Sequence, residues 1–195
     1  MVRPGRDRLT GRVEVDETFG GAPEAGHVGR QHGQKAMILI AAQEAGPGIG
    51  RIRMTVVDRA SQRNLHGFIA ETVEPGSTVL IDGLTAYRNL EPLGYHHDFR
   101  AAVRSGLDAI AFLPRVHKVA SLLKRWLLGT HQGAVSHGHL SYYLDEFTFR
   151  FNRRKSRSRG KRFYRLLQQA VEVEPVPYRR IVGPARGTKP PKHNL

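Results

Sequence analysis

The chain contains no cysteine, and its apolar residues form no long uninterrupted run. The first absence excludes disulfides and metal sites built on thiolates. The second argues against a membrane-spanning helix, which needs about 18 consecutive apolar residues. No signal peptide is recognisable at the N-terminus. We therefore expect a protein without a membrane segment, located in the cytoplasm.

Acidic residues are few: 17 Asp and Glu stand against 31 Lys and Arg, so the formal net charge is +14 in 195 residues. Such an excess is larger than solubility requires and favours a polyanionic partner, with nucleic acid as the first candidate. Because 39% of the residues are hydrophobic, the length suits one domain with a real core. We expect a loose lead-in at 1–10, the domain at 11–172 and a disordered basic tail at 173–195.

The hydrophobic pattern predicts strands first and helices afterwards. Alternation from Gly11 to Thr18, an apolar run at 35–42 and renewed alternation at 48–57 are typical of a three-stranded antiparallel meander. The later predicted elements are a helix capped by Ser61, a strand at 77–83, a helix around Ala86, a strand in GYHHDFR, and helices in VHKVASLLKRWLL and HLSYYLDEFTFRF. This order predicts an α/β fold in which helices cover the faces of a mixed sheet.

Two aspartates stand out by their place on the predicted strands. Asp16 lies on the polar face of the first strand, and Asp82 closes the fourth. Crevices of α/β sheets commonly hold ligands, and Mg²⁺ prefers carboxylate oxygens, so two converging aspartates would hold a metal against DNA. The alternative is that Glu14, Asp16 and Thr18 form a solvated strand face and that Asp-Gly is a simple turn.

Four segments, in order along the chain, carry a resemblance to a known family: VEVDETFGG, GSTVLIDGLTAY, VHKVASLLKRW and YYLDEFTFRFNRR. They resemble successive blocks of the ISXO-like transposases of bacterial insertion sequences, family 1595, a branch of the Asp-Asp-Glu recombinases. The resemblance covers about Gly11 to Ala170. It implies a ribonuclease-H-like mixed five-stranded sheet flanked by helices, and the function of a DNA transposase catalytic domain that cleaves and transfers DNA strands.

Carried over position by position, the resemblance implies catalytic roles for Asp16, Asp82, His117 and Lys124. Asp16 and Asp82 match the family's two aspartates, and His117 lies seven residues before Lys124, where relatives place the third member. The implied site holds two Mg²⁺ or Mn²⁺ ions through Asp16, Asp82 and His117. Imidazole favours Zn, Mn, Fe or Ni over Mg²⁺, so His117 would be a weaker Mg²⁺ ligand than glutamate. Because only neutral imidazole binds a metal, such a site would also be sensitive to pH.

Other roles for these positions stay open. His117 would instead cap its helix or contact a phosphate. Glu146 is the alternative third metal ligand, although it lies in the FTFRFNRR region, where we expect it to pack or to pair with nearby arginines. His131, His137 and His139 lack a well-spaced ligand pair, so we interpret them as loop histidines and not as a zinc site.

A basic segment at 149–165, FRFNRRKSRSRGKRFYR, interleaves aromatic residues with Lys and Arg and contains no acidic residue. Such a segment would neutralise DNA phosphates without regard to sequence. The alternative is a merely solvated face. The predicted DNA-binding residues are Lys124, Arg125, Arg150, Arg153, Arg154, Lys155, Arg157, Arg159, Lys161 and Arg162.

The expected partners are transposon ends, target DNA and further copies of the chain, since transposases generally act as oligomers on DNA. Relatives carry an N-terminal zinc-ribbon or helix-turn-helix region for which this sequence has no room, so we expect a truncated copy. Two other functions stay open: a non-catalytic DNA-binding remnant of a transposase, and a nuclease that cuts branched DNA on the same fold, against which the four family blocks argue.

Overall fold

The computed structural model describes residues 6–20, 36–81, 89–97, 112–132, 135 and 137–181. Within them a single sheet has the order β3-β2-β1-β4-β5. Its strands are β1 Arg12–Gly20, β2 Ala36–Ala45, β3 Gly48–Val57, β4 Thr78–Leu80 and β5 His96–His97. β1 to β3 pair antiparallel, while β4 lies parallel to both β1 and β5. The mixed five-stranded, ribonuclease-H-like sheet is therefore confirmed.

Helices flank this sheet in the described part of the chain. They are α1 Gln62–Thr72, α2 Pro114–His131, α3 Leu140–Asn152, α4 Arg159–Ala170 and the single turn α5 Tyr178–Ile181. The predicted cap of α1 is confirmed, because Ser61 Oγ accepts a hydrogen bond from the backbone N–H of Asn64 at 3.3 Å. The predicted helix around Ala86 lies outside the described residues, as does the predicted tail from residue 182 onward.

The two faces of the sheet carry separate cores because strand side chains alternate between the faces. Val13 and Val15 of β1 pack with Leu39 of β2 in a cluster that includes the buried side of α1. The opposite face, which includes Ile38 and Ile40, packs against α2 and α3. The polar residues Glu14, Asp16 and Thr18 of β1 therefore lie on the α2 side of the sheet.

The segment before β1 is packed against the domain, contrary to the expected loose lead-in. Leu9 is fully buried and forms a parallel bridge with Val73. Its N–H donates to Thr72 O, and its carbonyl accepts from Glu74 N, both at 2.8 Å. An apolar side chain that fills the core beside α1 explains why a segment without sequence periodicity is nevertheless ordered at 6–10.

The free edge of β3 is covered at Ile52 by a side chain of α3. Asn152 Oδ1 accepts from Ile52 N at 2.7 Å, and Asn152 Nδ2 donates to Ile52 O at 3.1 Å. The amide thus replaces the hydrogen bonds of a neighbouring strand at this point. This pair of bonds fixes the C-terminal end of α3 against the sheet.

Candidate active site

The N-terminus of α2 is capped by a residue of β1. The N-cap residue Leu113 offers no side-chain acceptor. Instead Glu14 Oε2 accepts hydrogen bonds from the backbone N–H groups of Arg115 at 2.7 Å and Val116 at 2.8 Å. A carboxylate satisfies these otherwise unpaired donors and interacts favourably with the helix dipole. Glu14 therefore fixes the start of α2 against the middle of the sheet.

The Arg115 side chain makes this attachment stronger. Its guanidinium forms ion pairs with Glu14 Oε1 at 3.0 Å and with Glu44 Oε1 at 2.8 Å. It also donates to the carbonyls of Gly48 at 3.1 Å and Gly46 at 3.0 Å. One side chain thus joins α2 to β1, β2 and the turn between β2 and β3. A buried carboxylate is tolerated here because its charge is paired and its oxygens are hydrogen-bonded.

The alternative of a solvated strand face is wrong for β1. Glu14 is 2% exposed and Thr18 is 6% exposed, because α2 lies across this face. Sequence reasoning missed the role of Glu14. The signal was present in the period-two spacing that places it on the same face as Asp16, together with a helix that begins without a polar N-cap.

Asp16 and His117 face each other across the gap between β1 and α2. His117 Nδ1 lies 3.7 Å from Asp16 Oδ2, and their side chains are 29% and 14% exposed. The other ring nitrogen of His117, Nε2, is buried and has no hydrogen-bond partner among the described residues. The structure therefore brings together two of the residues singled out in the sequence, one from a strand and one from a helix.

A groove beside this pair has a volume of about 500 Å³. Lys124 lines it too, because a spacing of seven residues returns to nearly the same side of an α-helix. Sequence reasoning missed Glu17, Lys118 and Ser121, which also line the groove. We call this cavity the Asp16 groove; it is lined by Asp16, Glu17, Thr18, Pro114, His117, Lys118, Ala120, Ser121 and Lys124.

The remaining predicted ligands are not part of the described groove. Asp82 lies outside the described residues. Glu146 does not line the groove, and it pairs instead with Arg150 at 2.9 Å, one helical turn away, as expected for a residue near arginines. Within the described ranges there is no cluster of three or more His, Asp or Glu side chains suited to a metal ion.

Asp16 and His117 supply a partial donor set for a divalent metal. Carboxylate oxygen suits Mg²⁺ and Mn²⁺, while imidazole nitrogen suits Mn²⁺ better than Mg²⁺. Two ligands that each lie about 2.1 Å from one ion are roughly 3.0–3.5 Å apart. The observed 3.7 Å between Nδ1 and Oδ2 is close to that range. The pair therefore fits a shared metal with a small rotation of either side chain.

The basic segment divides into anchored and exposed residues. Arg153 and Arg154 stack on the rings of Phe149 and Phe151, at 4.0 and 3.9 Å from the ring centroids. Arg154 also donates to backbone carbonyls of β3, those of Ile49 and Gly50. Lysines and arginines further along are exposed: Lys155, Arg157, Arg159 and Lys161. The exposed residues have the accessibility that phosphate contact requires.

His131 lies among aromatic rings. Its ring centroid is 4.8 Å from that of Trp126 and 4.4 Å from that of Tyr143. His131 is the last residue of α2, so the interpretation of it as a loop histidine is wrong. On β5, His97 lies 3.9 Å from Glu91, which makes a local ion pair when the histidine is protonated.

No curated protein matches the chain. Among solved structures the chain is similar to the Mos1 transposase paired-end complex with left transposon end, with 14% identity, a TM-score of 0.34, and coverage of 75% of this chain and 53% of that chain. The matched part thus spans about half of that chain's length.

The described helices include none that combines the length and the apolar character needed to cross a bilayer.

The ISXO2-like transposase domain family matches residues 8–152. These residues include β1, with Asp16, and α2, with His117 and Lys124. The chain therefore belongs to the ISXO2-like transposase domain family.

Proposed function

We propose that this chain is the catalytic domain of a DNA transposase that cleaves and transfers DNA strands at the Asp16 groove. The observation that carries the proposal is the approach of His117 Nδ1 to within 3.7 Å of Asp16 Oδ2. Membership of a transposase family supplies the reaction class. The pair supplies a carboxylate and an imidazole at the place where the sequence predicts a metal site.

Asp82 is proposed as the third ligand from its place in the sequence and from the family resemblance. β1 and β4 are parallel, and Glu14 pairs with Leu80. Asp82 follows Leu80 by two residues in the sequence, as Asp16 follows Glu14. A second aspartate near Asp16 would supply the pair of carboxylates that a divalent metal prefers.

The residues of the groove have separable roles. Divalent Mg²⁺ or Mn²⁺ ions held by Asp16, Asp82 and His117 would supply Lewis-acid chemistry for phosphodiester cleavage and transfer. His117 and Asp16 hold their positions because Glu14 and Arg115 fix α2 against β1. Lys124 and Lys118 line the groove and place positive charge where a DNA phosphate would lie.

DNA is the proposed partner, as transposon end and as target. The net charge of +14 favours binding to phosphates, and the exposed Lys155, Arg157, Arg159 and Lys161 extend the basic surface beyond the groove. Association of several copies on DNA is part of the proposal.

The test is DNA cleavage by matched aspartate variants. Supercoiled plasmid nicking with Mn²⁺ is measured for the wild type, Asp16→Asn, His117→Ala and Asp58→Asn, whose residue is exposed after β3. Loss of a metal ligand is expected to lower nicking at least about 100-fold for the first two variants, while Asp58→Asn keeps the wild-type rate. Full activity of Asp16→Asn would overturn the assignment.

The non-catalytic DNA-binding remnant is the second candidate, favoured by the exposed Lys155, Arg157 and Arg159, which would bind DNA phosphates without a metal. In that case the wild type would bind DNA with or without a chelator and would never nick it with Mg²⁺ or Mn²⁺. Nicking that requires the metal, and that Asp16→Asn abolishes, excludes this candidate.

A further inference from the structure

A second polar cavity lies at the β3 edge of the sheet. It has a volume of about 290 Å³ and lies between the segment before β1, β3, α3 and α4. None of its lining residues also lines the Asp16 groove. We call it the arginine pocket; it is lined by Arg6, Asp7, Arg51, Arg53, Asp145, Thr148, Phe149, Asn152, Arg153 and Gln169.

Arg53 is the central residue of the arginine pocket. It is only 5% exposed, and its guanidinium donates to the carbonyls of Ile52 at 2.9 Å and Asp7 at 2.5 Å. Burial, together with the nearby guanidinium groups of Arg6 and Arg51, lowers the pKa of Arg53 to about 10, although the carboxylate of Asp7 opposes this shift. A buried cation that is held beside other cations is expensive unless an anion lies near it.

The acidic residues of the pocket do not balance its arginines. Four arginines line the cavity, against the two carboxylates of Asp7 and Asp145. Asp7 Oδ2 lies 3.6 Å from Arg51 Nη1. Burial raises the pKa of Asp145, which makes its carboxyl easier to protonate. The interior of the pocket is therefore positively charged.

We propose that the arginine pocket binds a phosphate group. Planar guanidinium groups match the oxygens of a tetrahedral oxyanion and bind phosphate through paired, charge-assisted hydrogen bonds. Thr148 and Gln169, which are 5% and 8% exposed, add neutral polar groups to the same wall. The phosphate would come from a DNA backbone or from a free phosphate or nucleotide. The site does not depend on cleavage at the Asp16 groove.

Binding of inorganic phosphate to the full chain tests the proposal. Titration calorimetry at constant ionic strength compares the wild type with Arg51→Gln, Asp145→Asn and the control Arg63→Gln, whose residue is exposed on α1. We expect affinity about tenfold weaker for Arg51→Gln, because a charge-assisted hydrogen bond is lost. Asp145→Asn should bind more tightly, because a repelling carboxylate is removed, and Arg63→Gln should match the wild type.

Asp145→Asn keeps the test decisive, because a misfolded variant does not gain affinity. Equal phosphate binding by all four proteins, or no binding by the wild type, would overturn the proposal. Asp16→Asn is expected to bind phosphate as the wild type does. Phosphate binding and plasmid nicking can therefore fail independently of each other.

A short DNA duplex identifies the source of the phosphate. If the backbone supplies it, the duplex displaces inorganic phosphate. The slope of log affinity against log salt concentration then falls by about one for Arg51→Gln but not for Arg63→Gln. Phosphate binding that the duplex leaves unchanged would support a free phosphate or nucleotide as the ligand.

Discussion

The Asp16 groove and the arginine pocket border one sheet but differ in their charge balance: carboxylates and lysines line the groove in equal number, whereas arginines outnumber carboxylates in the pocket. The groove brings a carboxylate and an imidazole together between only two elements, β1 and α2, fixed by the buried ion pair of Glu14 and Arg115. The pocket collects guanidinium groups from three separate segments, and a fourth segment, α4, contributes Gln169. The first arrangement therefore depends on one capped helix, whereas the second depends on how several segments pack. Each region is expected to fail under a different substitution.

Glu14→Ala is expected to damage the groove most. It leaves two helix N–H groups without their acceptor and removes one carboxylate partner of Arg115. Breaking a buried ion pair costs about 3–5 kcal/mol, and the remaining pair with Glu44 places this case near the lower value. Urea unfolding measures the loss, with the exposed Glu71→Gln as the control, expected within about 0.5 kcal/mol of the wild type.

If Glu14→Ala costs no more than Glu71→Gln, α2 does not depend on its cap. Phosphate binding at the arginine pocket should survive in Glu14→Ala at temperatures where the variant is folded. If folded Glu14→Ala lost both plasmid nicking and phosphate binding, the Asp16 groove and the arginine pocket would not be independent.

Asn152→Ala is expected to have a smaller effect, confined to the pocket side. The variant loses both hydrogen bonds to Ile52 and exposes the edge of β3. Leaving these backbone groups unpaired costs about 1–3 kcal/mol. Urea unfolding of Asn152→Ala and of the exposed Gln62→Ala measures it, while plasmid nicking by the folded variant should stay at the wild-type rate. An equal free energy of unfolding for the two variants would contradict the structural role of Asn152.

Asp145→Asn is expected to have the smallest effect, and one that depends on pH. Burial raises the pKa of Asp145 in the folded protein, so ionising the carboxyl destabilises the fold. The stabilisation that this carboxyl gives the wild type is fully present below the pKa of the unfolded chain, near ~4. It is lost as the pH rises through the higher pKa of the folded protein. The Asn variant lacks this loss.

The difference in free energy of unfolding between Asp145→Asn and the wild type should therefore be constant below pH ~4 and grow at higher pH. Urea unfolding across this pH range measures it. A difference that shrinks as the pH rises would contradict the direction of the pKa shift.

Sequence patterns predicted the sheet better than they predicted its contacts. Period-two alternation gave β1 with the correct face for Asp16, and helical spacing placed Lys124 on the side of α2 that carries His117. The same alternation puts Glu14 on the correct face of β1, but it does not identify the helix N–H groups to which Glu14 binds. Glu14 lies 101 residues from Arg115, and no local pattern connects them.

The arginine pocket was harder to foresee for a related reason. Arg51 and Arg53 alternate along β3 as residues of a solvated face would. Arg53 is buried and Arg51 is partly covered, and both depend on the segment before β1, whose Leu9 docks beside α1. The pocket wall is completed by Gln169 of α4. Packing between segments distant in sequence decides such a site, and hydrophobic periodicity does not record it.

The amide of Asn152 also limits how copies of the chain can assemble. A second copy whose strand paired with β3 at this position would need the backbone of Ile52. The N–H and the C=O of Ile52 are both already hydrogen-bonded to Asn152. Extension through this edge would have to displace the end of α3 at that position. An oligomer that leaves the domain intact would therefore not form by merging two sheets at Ile52.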